Sequence, residues 1–109
     1  MKIDFCQIPL SVLPAFKGGE KEYRAHMFDD GLNKIMKGLL IPGASIGLHT
    51  HEDSSEIIFV TKGRGCVLDD GIATPIQAGE ATYCPKGHRH SLINDSETDL
   101  EFYAVVPRQ

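Results

Sequence analysis

Short apolar runs alternate along the chain with polar or glycine-containing breaks, and no stretch shows a long apolar repeat of helical period. Turn signals recurring every roughly 8–12 residues are typical of an all-β sandwich or barrel. The pattern predicts strands over residues 23–28, 34–41, 46–51, 56–61, 64–68, 72–76, 80–84, 88–93 and 100–106. The pair Asp70-Gly71 predicts a hairpin between the strands at residues 64–68 and 72–76. We therefore expect an all-β, antiparallel protein with negligible helix.

The first 22 residues differ from the rest, because they contain Pro9, Pro14 and the pair Gly18-Gly19. We expect residues 1–22 to form an irregular arm with one short strand near Ile3 to Ile8. Residues 23–109 then form a single β domain, since 109 residues leave no room for a second core.

Composition excludes several partners. The net charge of −4 is spread without a basic patch, which argues against nucleic-acid binding. No apolar run approaches the roughly 20 residues of a membrane-spanning helix. Asp4, Pro9 and Pro14 interrupt any signal-peptide core, so we expect a cytoplasmic protein without a membrane partner.

Candidate chemistry begins at His49 and His51, which stand two residues apart on a predicted strand. Alternate strand residues point to the same face, and their Cα atoms lie roughly 6.5 Å apart. The polar residues 52–55 predict a turn, after which Glu56 opens the next strand. We expect a hairpin that returns the Glu56 carboxylate to the two imidazoles, which would form a plausible metal site.

A second histidine-containing stretch lies between Gly79 and Asn94. There, His90 follows the turn sequence Pro85-Lys86-Gly87, and it is the candidate for a fourth metal ligand.

Together the two stretches resemble the cupin superfamily, in particular its small single-domain members of the conserved barrel type. Gly43 to Gly63 fits the pattern G-x5-H-x-H-x4-E-x6-G, and Gly79 to Asn94 fits G-x5-P-x-G-x2-H-x3-N. The resemblance implies a jelly-roll β-barrel (a double-stranded β-helix) that holds one divalent transition metal, with Fe, Mn, Zn and Ni as the candidates. The implied ligands are His49, His51, Glu56 and His90.

Strand alternation also suggests what surrounds the metal. If Glu56 faces inward, the other inward-facing residues of its strand are Ile58 and Val60. Gly47 is in phase with His49 and Leu92 with His90. The candidates for a ligand pocket are Gly47, Ile58, Val60, His88 and Leu92. Such a pocket suits a small apolar or carboxylate-bearing molecule.

His88 is the least certain of these candidates, because the turn at Gly87 can break the strand phase. A surface or mouth position is favoured over contact with a ligand. His26, Tyr83 and Tyr103 could act as proton donors, but we assign none of them a role.

Three functions fit a metal-binding barrel. The first is an enzyme acting on a carboxylate or carbonyl group: a dioxygenase with iron, or an isomerase or decarboxylase that uses the metal as a Lewis acid. The second is a non-catalytic small-molecule binding module. The third is an interaction module whose metal only braces the barrel, for which a closed tetrahedral zinc site would be typical.

An apolar outer face predicts a partner. Ile57 and Phe59 lie opposite the inward residues of their strand and yet are apolar. We therefore expect a homodimer formed through this sheet face. The alternative is that the N-terminal arm covers the same two residues.

Overall fold

The computed structural model describes residues 1–109 and consists almost entirely of antiparallel strands. The ten strands are β1 (Ser11–Pro14), β2 (Glu22–Asp29), β3 (Asn33–Leu40), β4 (Ser45–Thr50), β5 (Glu56–Lys62), β6 (Arg64–Asp69), β7 (Ile72–Gln77), β8 (Ala81–Cys84), β9 (Arg89–Ile93) and β10 (Leu100–Pro107). All nine strands predicted from the pattern are present, with ends that differ by at most one residue.

The strands form two sheets that share one apolar core. The six-stranded sheet has the order β1-β2-β3-β10-β5-β8, and the four-stranded sheet has the order β4-β9-β6-β7. The only helical segments are two short 3-10 helices, Phe5–Gln7 and Phe16–Gly18. The expectation of an antiparallel jelly-roll barrel with negligible helix is therefore confirmed. No helix is long and apolar enough to cross a membrane.

The N-terminal region is more ordered than its composition suggested. The strand expected near Ile3 to Ile8 is wrong, because the Asp4 side chain accepts a hydrogen bond from the Cys6 amide at 3.0 Å and starts a 3-10 turn. The chain becomes extended only at β1, which pairs with β2 as an edge strand. Residues 1–22 thus contribute a strand to the barrel.

The predicted hairpin between β4 and β5 is also wrong. The two strands lie in different sheets, with β4 beside β9 and β5 between β10 and β8. Residues 51–55 therefore cross from one sheet to the other instead of reversing within one. By contrast, the Asp70-Gly71 turn closes the expected hairpin between β6 and β7, with φ angles of +48° and +85°.

The inner face of the larger sheet runs between two chemically different ends. At the packed end, Leu40 pairs with Leu100, and Phe102 and Tyr23 stack with ring centroids 5.8 Å apart. The Asn94 amide group ties this end together by donating to backbone carbonyls of two other segments, both at 2.8 Å. At the open end, the inner face carries polar groups and a cavity.

Candidate metal centre

Both sheets contribute to the open end. His49 on β4 and His90 on β9 are register partners in the four-stranded sheet. His51 follows β4, where its amide donates to the His88 carbonyl at 3.0 Å. Glu56 begins β5 in the opposite sheet. The crossing of the chain between the sheets therefore brings the carboxylate across the barrel to face the histidines.

The four side chains converge on one point. Nε2 of His51 lies 3.2 Å from Nε2 of His49 and 3.0 Å from Nε2 of His90. Oε1 of Glu56 lies 2.8 Å, 3.2 Å and 3.8 Å from Nε2 of His90, His51 and His49, respectively. All four ligand atoms are within 4.8 Å of one another.

The outer nitrogens of two imidazoles have partners that orient the rings. Nδ1 of His49 lies 2.7 Å from the Gly47 carbonyl oxygen, which can only accept, so the proton of a neutral ring is on Nδ1. Nδ1 of His51 lies 2.9 Å from Oγ of Ser54, a hydroxyl that can donate or accept. With its proton on Nδ1, the His49 ring presents the lone pair of Nε2 to the cluster. Nitrogen and carboxylate lone pairs about 3 Å apart repel one another unless a proton or a metal ion lies between them.

Burial strengthens this argument. Glu56 is 6% exposed and His90 3% exposed. Burial raises the pKa of Glu56, but its contacts with His49, His51 and His90 outweigh burial and hold the pKa below its usual range. The group is therefore a buried carboxylate at neutral pH, which is costly unless a positive charge lies beside it.

The donor set fits a divalent transition metal. Metal–nitrogen bonds of about 2.0–2.1 Å place neighbouring ligand atoms about 3 Å apart, close to most of the separations found here. Imidazole ligands suit zinc, copper, iron and nickel, whereas carboxylate oxygen suits manganese as well. On an octahedral ion, four protein ligands leave about two positions for other molecules.

A cavity of about 260 Å³ opens beside the four ligands. Its wall includes His49, His51 and Glu56 together with side chains from the larger sheet and the Phe16–Gly18 segment. The larger sheet contributes Tyr23, Lys34, Met36 and Val106. A small molecule in this cavity would therefore reach the metal position directly.

Tyr23 gives the cavity a buried hydroxyl group. The ring is held between Phe16 and Phe102, and the hydroxyl donates to the Met36 sulfur at 3.5 Å. A thioether is a weak acceptor. Burial, with a smaller contribution from the charge of Glu56, raises the Tyr23 pKa, so the hydroxyl keeps its proton.

The residues expected to line the pocket lie elsewhere. Ile58, Val60 and Leu92 are buried in the apolar core. A Cβ atom at Gly47 would lie only 2.0 Å from the Lys17 carbonyl oxygen, so glycine there admits the Phe16–Gly18 segment. The alternation placed these side chains on the inner faces, but the cavity wall is built from other residues. Their contact with a ligand stays a prediction.

His88 lies outside the cluster, as the turn at Gly87 suggested. Its side chain is 49% exposed, and its Nδ1 pairs with the Asp70 carboxylate at 2.5 Å. The ion pair bridges the β6–β7 turn and the segment preceding β9. His88 does not line the cavity.

Three residues of the candidate site were missed from the sequence. Lys34 and Tyr23 belong to strands that carry no motif, although each is in phase with buried residues of its own strand. Ser54 lies in the polar break that was treated only as a turn. The alternation on β2 and β3 could have identified the first two residues. Nothing local identifies Ser54.

Several proteins of known sequence or structure are similar to this chain. An oxalate-binding protein of Thermotoga maritima is 45% identical over 67 residues, which is 62% of this chain and 55% of that protein. Protein SchB of Streptomyces halstedii is 35% identical over 71 residues, 62% of this chain and 51% of that protein. The chain thus matches about half the length of these relatives.

The fold also matches a crystal structure from Thermotoga maritima described as a predicted oxalate decarboxylase. The TM-score is 0.92 with 30% sequence identity, and the match covers 100% of both chains. Residues 38–106 match the family described as "Cupin domain". This range includes strands β4 to β9 and thus all four candidate metal ligands. The family match and the arrangement of the barrel agree, and this chain belongs to the cupin domain family.

Proposed function

We propose that this protein binds a small carboxylate through a divalent metal held by the three histidines and Glu56. The observation that carries the proposal is the convergence of four ligand atoms beside an open cavity. A bound metal would supply a Lewis-acidic centre with open positions for carboxylate oxygens. The protein supplies the ligands and a cavity wall in which apolar side chains lie beside polar and charged ones.

The similar proteins favour oxalate or another small carboxylate. The cavity of about 260 Å³ has room for such a ligand together with several waters, since each water takes about 30 Å³ of liquid volume. The relative with 45% identity carries the description oxalate-binding protein. A metal that only braced the barrel would need no such cavity, so the bracing function is disfavoured.

Decarboxylation is the second candidate function. It is favoured by the whole-chain similarity to the predicted oxalate decarboxylase. The reaction would convert hydrogen oxalate into formate and carbon dioxide: the carbon–carbon bond breaks, and the proton moves to the carbon of the formate product. Dioxygenase and isomerase activities stay predictions of the family resemblance.

Binding is tested on protein purified without a histidine tag. Elemental analysis identifies the bound metal, and calorimetric titration of the metal-loaded protein with oxalate, malonate and acetate measures the affinity. We expect saturable oxalate binding that disappears after chelation. Absence of carboxylate binding by fully loaded protein would overturn the proposal. Assaying formate, carbon dioxide and oxygen consumption in the same samples separates a binding protein from a decarboxylase or an oxygenase.

We also propose that a second copy of this chain covers the outer face of the larger sheet. Phe59 and Tyr103 are register partners there, and they are 50% and 37% exposed. Tyr83 on β8 extends the same face and is 55% exposed. From the N-terminal region, the Phe5 ring packs beside Tyr103, with ring centroids 5.5 Å apart. Light scattering should give a dimer mass, and Phe59→Asp should lower it. A monomeric wild-type protein at micromolar concentration would refute this proposal.

A further inference from the structure

One charged residue of the inner face has no role so far. Lys34 lies on β3, two and four residues before Met36 and Gly38, and its side chain lines the cavity. Met36 is buried, so alternation places Lys34 on the inner face as well. Lys37, on the same strand, is exposed on the outer face.

The sheet register places Lys34 level with the metal ligands. Strand β10 lies between β3 and β5. On the β3 side, its residue Val106 pairs with Lys34. On the β5 side, Val105 pairs with Ile57, so Val106 lies opposite Glu56. Lys34 and Glu56 are therefore separated by one strand, roughly 10 Å between their backbones. All three residues of this row line the cavity.

The Lys34 ammonium group has no protein partner. It forms none of the seven ion pairs and none of the side-chain hydrogen bonds of the structure. The nearby Asp53 carboxylate is instead paired with Arg108 at 3.9 Å. Lys17 also lines the cavity, but it is exposed and its ammonium group lies over the Phe16 ring at 5.5 Å.

The charges of the cavity favour an anion. Two lysines and three carboxylates, those of Glu52, Asp53 and Glu56, line it. A divalent ion at the ligand cluster would leave one net positive charge. An ammonium group without a partner, in a partly dry cavity, binds an anionic oxygen more strongly than it would in bulk water.

We propose that Lys34 determines the ligand class of this site by binding the anionic oxygens that face away from the metal. The inference rests on the proposed function and adds the residue that selects anions over neutral ligands. A dicarboxylate such as oxalate is the best match, because its oxygens can face the metal and Lys34 at once. The alternative is that the Lys34 side chain only covers Val106 and leaves its ammonium group in water.

The test compares Lys34→Met, Lys34→Arg and the matched control Lys37→Met in the full-length protein. Each variant is loaded with Mn²⁺, its metal content is measured, and it is titrated with oxalate, azide and neutral imidazole. Lys34→Met should lose at least about tenfold in oxalate affinity. Its metal content and imidazole affinity should not change. Lys34→Arg should retain most of the oxalate affinity, and Lys37→Met should behave as wild type.

The outcomes separate this inference from the proposed function. Equal oxalate affinity in Lys34→Met and wild type would overturn the role of Lys34 and leave carboxylate binding intact. If the wild-type protein binds azide but no oxalate, the proposal of carboxylate binding is wrong. The azide affinity then decides the role of Lys34: a loss in Lys34→Met supports it, and an unchanged affinity overturns it. A parallel loss of imidazole affinity or of metal in Lys34→Met would show a structural role and overturn the inference. Wild-type protein that binds neither anion would overturn both proposals.

Discussion

The two ends of the barrel use the same strands for opposite purposes. On β10, the inward residues Leu100 and Phe102 are at most 1% exposed and fill the packed end. Val106, two residues after Ala104 and on the same face of β10, borders a cavity next to Glu56 and Lys34. Alternation directs a side chain inward at both ends. The position along the strand decides whether the inner space is filled or left open.

The difference has an energetic cost and a functional consequence. The packed end buries apolar surface, which stabilises the fold by about 25 cal/mol per Å². The open end buries less apolar surface. It also holds the Glu56 carboxylate among three imidazoles, and the negative charge of this carboxylate needs a cation beside it. Apart from Tyr23, which stacks on Phe102 and also borders the cavity, the residues that fill the packed end are separate from those around the candidate metal site.

The largest effect should follow from emptying the packed end. Phe102→Ala removes a ring that is 1% exposed and stacks on Tyr23, so the free energy of unfolding should fall by about 3–5 kcal/mol. The measurement is urea unfolding followed by circular dichroism. Leu48→Ala is the control, because Leu48 is 49% exposed on β4 and should change the free energy by about 0.5 kcal/mol or less. Similar losses in both variants would contradict the distinction.

A second comparison separates two histidines of the open end. His90→Ala removes one of four metal ligands, so metal affinity should fall at least about tenfold, or about 1.4 kcal/mol. His88→Ala is the matched control, because His88 pairs with Asp70 outside the cluster and its loss should leave metal affinity unchanged. Competition against a chelator of known affinity measures both. If His88→Ala lost the metal and His90→Ala kept it, the fourth ligand would be misassigned.

Acidification should empty the open end before it unfolds the packed end. Three imidazoles must be neutral to bind a metal, so protons compete with the metal as the pH falls. The pKa of Glu56 lies below its usual range, which keeps this carboxylate charged under mildly acidic conditions, so the histidines should cause the loss. Metal content after dialysis and circular dichroism at each pH provide the test. Simultaneous loss of metal and strand structure would show that the two ends are coupled.

The smallest effect concerns the ion pair at the rim of the open end. The hydrogen bond and charge of Asp70 raise the pKa of His88, and the hydrogen bond from His88 lowers the pKa of Asp70. The pair therefore contributes stability between the two folded pKa values. The contribution is lost when His88 deprotonates at higher pH or Asp70 is protonated at lower pH.

NMR titration of the His88 imidazole tests this pair. We expect a pKa above the ordinary value of about 6.5 in the wild type and a return toward it in Asp70→Asn. Asp69→Asn is a control, because Asp69 acts on His88 only weakly, through its charge. An unchanged His88 pKa in Asp70→Asn would exclude the ion pair in solution.

The sequence predicted much of the fold because strand alternation and turn residues are local signals. Asp70-Gly71 predicted its hairpin, since this pair readily adopts the positive φ angles of a tight turn. The resemblance to cupins then named the ligand residues that the structure brings together.

The errors arose where a local signal had more than one tertiary outcome. A polar break between two strands is compatible with a hairpin or with a crossing between sheets. The structure has the crossing between His51 and Glu56. Alternation likewise gave the correct inward faces for Ile58 and Leu92, but it carries no information on how far along the barrel each residue lies.

The sequence by itself thus determined which residues are strands, which side chains face inward and which four residues could hold a metal. These properties depend on backbone geometry and on motif spacing within short segments. Only the tertiary structure decided that Glu56 meets the histidines from the opposite sheet, and that Tyr23 and Lys34 border the cavity. The geometry of those contacts is set by sheet pairing and core packing rather than by any local pattern.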